Sequence, residues 1–269
     1  MLDQREYELL QRIELEILCA FDAFCREHGL VYYLIGGALL GAVRYGGFIP
    51  WDDDVDVAMP REDYERLQQL WINEPRGTYF LQSGKNDPKF SRCILKLRKN
   101  NTRIVEEISR GIDMHEGIYI DIFPIDYLDS PPGRKVALRA GFIHRLMSMR
   151  AIKNGYTNGR YSTIKRCLMV LLKPISNRWM DRMIERLCTK ENSGNRNYAT
   201  LLLHNYSWDR QTHEACVLGR GGICNFEGRE FMAPSDAQRF LTRVFGADFM
   251  MEPPKEKQKP PHRYLSVEF

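Results

Sequence analysis

A mixed α/β or α+β core followed by a basic, helical addition is predicted from three observations. Helix-like and strand-like apolar spacings alternate through residues 1–130, a Pro-Pro-Gly break follows at 131–133, and no acidic residue occurs between 131 and 180.

The elements follow in order. Residues 3–28 are predicted to form one amphipathic helix, because Leu10, Ile13, Ile17, Phe21 and Phe24 recur at steps of three and four, and Gly29 marks its end. VYYLI at 31–35 reads as a short strand stopped by Gly36 and Gly37. A second strand is expected at 54–58, and PREDYERLQQLWI behind it has helical spacing with Pro60 in the first turn. FSRCILKLRKN is a strand candidate with basic residues, and GIYIDIFPI at 117–125 has the clearest strand pattern in the chain. Behind the break the chain reads as mostly helical, with a loop at KNGYTNGRYS. The tail carries FEGREF, a helix at 235–245, and an end rich in proline and lysine. The expected division is a catalytic core with its N-terminal helix at 1–130, a basic helical region at 131–222, and a segment returning to the core at 223–269.

Composition narrows the class. The 269 residues are 43% hydrophobic, enough for a sizeable core. The charged N-terminus lacks the basic start and apolar stretch of a secretory signal, and no apolar run approaches the ~20 residues that span a bilayer, so a cytoplasmic protein is expected. Seven cysteines without a CxxC pair argue against a disulfide framework. His204, His213, Cys216 and Cys224 lie in one third of the chain and offer zinc-type ligands, but in no standard spacing. The net charge of +4 is uneven: 131–180 holds eleven of the 39 basic residues and none of the 35 acidic ones, leaving −7 elsewhere. That stretch is either a solvated helical surface or a face for polyanions, such as an anionic membrane surface.

The chemistry concentrates in LIGGALLGAVRYGGFIPWDDDVDVAM. A strand that ends in Gly36-Gly37 lets the backbone approach a ligand closely, and a helix opening there presents free amides to a phosphate. Asp52, Asp53, Asp54 and Asp56 then fall within five residues. In an extended chain Asp54 and Asp56 share one face while Val55 and Val57 enter the core. Such carboxylates repel unless a cation sits between them, and magnesium or manganese suits hard oxygen ligands beside a phosphate. An acidic surface turn is the alternative. In GIYIDIFPI, Ile118, Ile120 and Ile122 face one side, leaving Tyr119, Asp121 and Phe123 on the other. A lone aspartate there is costly to bury unless it is paired or binds metal, so Asp121 is the third candidate ligand, with backbone capping as the alternative. Lys96, Arg98 and Arg44 are candidate phosphate-binding cations, and Trp51 and Tyr119 could stack on a base or cover an ammonium group.

These motifs together resemble the nucleotidyltransferase superfamily, in which a strand ends in Gly-Gly or Gly-Ser, a later one carries Asp-x-Asp, and a third adds an acid. GGALLGAVRYGGFIPWDDDVDVAM is more closely similar to the LicD family, which shares its core with the fukutin-related transferases. KLRKNNT, GIYIDIFPID, FEGREFMAP and FGADFMMEPP add to the likeness, which covers about 15–130 and recurs at about 223–262. The resemblance implies a nucleotidyltransferase-like core, with Mg2+ or Mn2+ on Asp54, Asp56 and Asp121 and Asp121 placed to take an acceptor proton. It further implies transfer of phosphocholine, or a related phospho-substituent, from a CDP-linked donor such as CDP-choline to a sugar hydroxyl of a cell-surface glycan or its lipid-linked precursor. A nucleoside monophosphate transferase and a non-catalytic glycan-assembly scaffold are the alternatives. No nucleic acid partner is expected.

Overall fold

The computed structural model describes residues 3–156, 162–192 and 194–269, with 162–166 described in backbone only. The predicted loop at KNGYTNGRYS falls largely on 157–161, outside the described residues.

The first helix, α1, runs Gln4–His28 and is started by a capping box: Asp3 accepts from the Glu6 amide, and Glu6 accepts from the Asp3 amide. Its apolar stripe, Leu10, Ile13, Ile17, Phe21 and Phe24, is buried in the core as the spacing predicts. Strand β1 is only Tyr33–Leu34, shorter than expected, because α2, Gly36–Tyr45, starts at once. Strand β2 is Asp56–Pro60, two residues later than the sequence pattern places it, and α3, Arg61–Asn73, follows directly. Next come β3 Tyr79–Gln82, β4 Leu95–Lys99, β5 Arg103–Glu106 and β6 Tyr119–Leu128.

The main sheet runs β1-β2-β6-β4-β3. Among the described residues only β2 and β6 are parallel, and they pair Asp56 with Asp121 in register. That pairing sets two candidate acids side by side at the middle of the sheet. Ile118, Ile120 and Ile122 pack into the core, as the alternation requires.

Beyond the break lie α4 Arg134–Lys153, α5 Ser162–Leu172 and α6 Asn177–Cys188. The chain rejoins the sheet before residue 223. β6 is ten residues long and outruns β4, so its end Asp126–Leu128 pairs with β7, Tyr198–Thr200, which pairs in turn with β8, Thr212–Glu214. A short α7, Ala215–Leu218, leads into the hairpin β9 Gly222–Phe226 and β10 Arg229–Ala233, then α8 Ala237–Phe245. The last strand, β11 Tyr264–Glu268, returns across the molecule to pair with β5. Among the described residues, no helix is long and apolar enough to cross a membrane.

Candidate active site

The face of the sheet that carries Asp56 and Asp121 opens into a cavity of about 1020 Å³. Three parts of the sequence build much of its wall, and Arg92, Asp121, Phe123, His204, Tyr206 and Phe245 complete it. Helix α2 contributes Gly36 and Gly37 from its start and Arg44 from its last turn, the acidic loop contributes Trp51, Asp52, Asp54 and Asp56, and residues 248–262 close it from the C-terminal side.

Alternation orders the acidic loop. Asp53, Val55 and Val57 are buried, while Asp52, Asp54 and Asp56 line the cavity. Helix α1 fixes the loop from behind, for Tyr7 donates its hydroxyl to the Trp51 carbonyl at 2.9 Å and Gln11 its amide to the Asp52 carbonyl at 2.9 Å. Asp53 points the other way: its Oδ1 lies 2.9 Å from His262 Nδ1, and its carbonyl accepts from the Tyr264 hydroxyl at 3.1 Å. Burial disfavours a charged His262, but the Asp53 carboxylate and Glu106 outweigh it and raise the imidazole pKa.

Negative charge is crowded here. Burial, then the charges of Asp53 and Asp56, push the Asp52 carboxyl up to about 7. Burial, then Asp56, Asp52 and Asp53, push Asp54 well above the usual range. Behind them the buried Glu14 of α1 is also driven up, by burial first and by Asp53 and Asp52 next. A cluster of carboxylates of this kind fits a hard divalent cation. Among the described residues, the acidic trio within reach of a single ion is Asp52, Asp53 and Asp54, with carboxylate oxygens within 4.8 Å of one another. Asp54, Asp56 and Asp121 share the same cavity in a looser arrangement, with Lys96 Nζ 2.9 Å from Asp121 Oδ1.

The glycines allow the close approach. Gly36 has φ of +56°, and a Cβ on it would sit 3.0 Å from Asp56 Oδ2. A Cβ on Gly37 would overlap the Asp52 carboxylate. Gly37→Ala should therefore push Asp52 aside and cost about 10- to 100-fold in kcat/KM, the scale of a misplaced catalytic group, with the melting temperature little changed. Unchanged kinetics would mean that the position of Asp52 is immaterial.

Two of the predicted phosphate-binding cations lie away from the cavity lining. Lys96 and Arg98 do share a strand face, but both are buried and neither lines the cavity. Tyr119 packs against both, its ring centroid 3.1 Å from Lys96 Nζ, and its hydroxyl donates to Glu106 at the end of β5. Burial lowers the Lys96 pKa to about 8 against the pull of Asp121 and Glu106, so this lysine works as the counter-ion beneath Asp121. Arg98 is spent on Gln82 Oε1 and the Gly117 carbonyl, each at 2.5 Å. Tyr119, being covered by these cations, is not an open stacking platform. Arg44 does line the cavity, where its guanidinium donates to the Phe249 carbonyl.

Cations at the wall that sequence reasoning did not single out are Arg92, Lys257 and Lys259. His204 was weighed only as a zinc ligand. It stacks between Phe123 and Tyr206, with a buried Nε2 that lacks a hydrogen bond and lies 3.7 Å from Asp56 Oδ2. His213 stacks on Phe240 at a different place, Cys216 is exposed, and Cys224 sits on β9, so the four do not converge among the described residues. The aromatic wall continues from Phe123 and Tyr206 to Phe245, Phe249 and Trp51.

Residues 29–130, which contain the glycine pair, the acidic loop and β6, match the family described as LicD/FKTN/FKRP, nucleotidyltransferase domain. The chain carries a LicD-family domain. Over 256 residues it is 28% identical to lipopolysaccharide cholinephosphotransferase LicD of Haemophilus influenzae, with 94% of each protein covered, so the likeness extends through the helical region and the tail. It is 52% identical over 42 residues to ribitol 5-phosphate transferase FKRP of Homo sapiens, covering 16% of this chain and 8% of that protein. Mannosyltransferase regulator 4 of Saccharomyces cerevisiae is 29% identical over 137 residues, 48% of this chain and 11% of that protein.

Proposed function

We propose that this LicD-like chain is a metal-dependent phosphotransferase that moves phosphocholine from CDP-choline to a sugar hydroxyl of a cell-surface glycan or its lipid-linked precursor. The observation that carries this reading is the cavity itself, in which an acid-rich wall meets an aromatic one. The acids fit a metal and phosphate centre, and the rings of Trp51, Phe123, Tyr206, Phe245 and Phe249 fit an alkylammonium head group better than a polyol. The full-length likeness to a cholinephosphotransferase supports the same head group, because the likeness to the ribitol phosphate enzyme is confined to a short segment.

Asp54, Asp56 and Asp121 would hold Mg2+ or Mn2+, with Asp52 beside them. When bound, the ion supplies Lewis-acid neutralisation of the donor's phosphate charge. The chain's own residues do the rest. The backbone at the start of α2 and the side chains of Arg92, Arg44, Lys257 and Lys259 bind and orient the diphosphate. Asp121, held by Lys96, accepts the proton of the acceptor hydroxyl as its oxygen bonds to the choline-bearing phosphorus. The bond from that phosphorus to the bridging oxygen breaks, and cytidine monophosphate leaves with the electron pair.

Incubating the protein with labelled CDP-choline, Mg2+ and an acceptor glycan should release cytidine monophosphate, and a chelator should stop the release. Pyrophosphate release from a nucleoside triphosphate, with CDP-choline untouched, would instead make the chain a nucleotidyltransferase.

A further inference from the structure

We propose that the outer surface of α4, the end of α5 and the start of α6 form a docking face for a bilayer containing anionic lipid. The described end of α5, Cys167–Leu171, is exposed at every position, with Val170 68% and Leu171 71% accessible. Along α4, Lys135, Leu138, Phe142 and Arg145 recur at steps of three and four on the exposed side, opposite the buried Val136, Ala140 and Ile143. Both α5 and α6 pack against α4, and α6 opens with exposed Arg178 and Trp179. A solvated helix carries polar residues outward, whereas this surface puts valine, leucine, phenylalanine and tryptophan into water.

Charge identifies what covers it. Residues 131–180 hold eleven basic side chains and no acidic one. Arg134, Lys135, Arg145, Lys173 and Arg178 are exposed and form no ion pair among the described residues. A second copy of the chain seated here would bring two positive faces together at a Coulombic cost. A nucleic acid would satisfy the cations but leave the exposed aliphatic residues in water. An anionic bilayer satisfies both, with apolar side chains entering the acyl boundary, cations at the headgroups and Trp179 at the interface.

The test is sedimentation of the full chain with phosphatidylcholine vesicles prepared with and without phosphatidylglycerol. Binding should require phosphatidylglycerol and weaken as salt is raised. The double substitution Val170→Glu and Leu171→Glu, at two open positions, should reduce partitioning at least about tenfold with an unchanged thermal melt. Each of Arg134→Gln, Lys135→Gln and Arg145→Gln should cost about fivefold. The proposal is overturned by equal binding of the double variant and the parent, by absence of binding to phosphatidylglycerol vesicles, or by a lipid-free dimer that the double variant dissociates.

Discussion

Asp56→Asn is expected to lower turnover by at least about a thousandfold, roughly 4 kcal/mol of transition-state stabilisation, while the melting temperature holds steady or rises slightly. The side chain sits on β2 opposite Asp121, lines the cavity, and faces the backbone of Gly36. An amide of the same shape leaves no void, and it removes one member of a group of carboxylates that repel one another. Melting curves with and without Mg2+ provide a readout separate from catalysis: added metal should raise the parent's melting temperature and leave that of the variant nearly unmoved. Full activity in the variant, or parent activity indifferent to a chelator, would refute the metal assignment.

Asp126→Ala is expected to cost roughly 3–5 kcal/mol of stability, or about 10 °C in melting temperature. Asp126 is fully buried near the end of β6 and takes two hydrogen bonds from the Arg61 guanidinium, at 2.9 and 2.6 Å, and a third from Asn192 at 2.8 Å. It joins the start of α3 to the far end of the central strand and to the segment that follows α6. Removing it strands a largely buried guanidinium without its counter-charge, which is worse than losing the pair together. Denaturant titration measures the loss, and a change under about 1 kcal/mol would show that water replaces the carboxylate.

The first half of the chain was legible because local pattern and tertiary environment agree there. The stripe of α1, the alternation of Ile118, Ile120 and Ile122, and the interleaving of Val55 and Val57 with aspartates each state which side faces the core. The strands β3, β5, β7, β8 and β11 are three to five residues long, and their pairing depends on contacts distant in sequence. No local period announces them. The surroundings of the cations were not legible for a related reason. Residue spacing correctly set Lys96 and Arg98 on one face, but what covers that face is Tyr119, with Glu106 closing over its hydroxyl, and no count along β4 reveals it. Arg92 lies just outside the strand, and Lys257 and Lys259 lie in a segment without periodicity, so their arrival at the cavity is visible only in three dimensions.

The return of the C-terminal segment has a consequence for biosynthesis. The acids, the glycine pair and β6 all leave the ribosome before residue 130, whereas the opposite wall of the cavity, with its bonds to Asp53 and Arg44, emerges more than a hundred residues later. During synthesis the acidic side of the cavity is thus complete in sequence well before the segment that faces it. A chain cut before these residues would keep the main sheet and its acids but lack that side of the cavity.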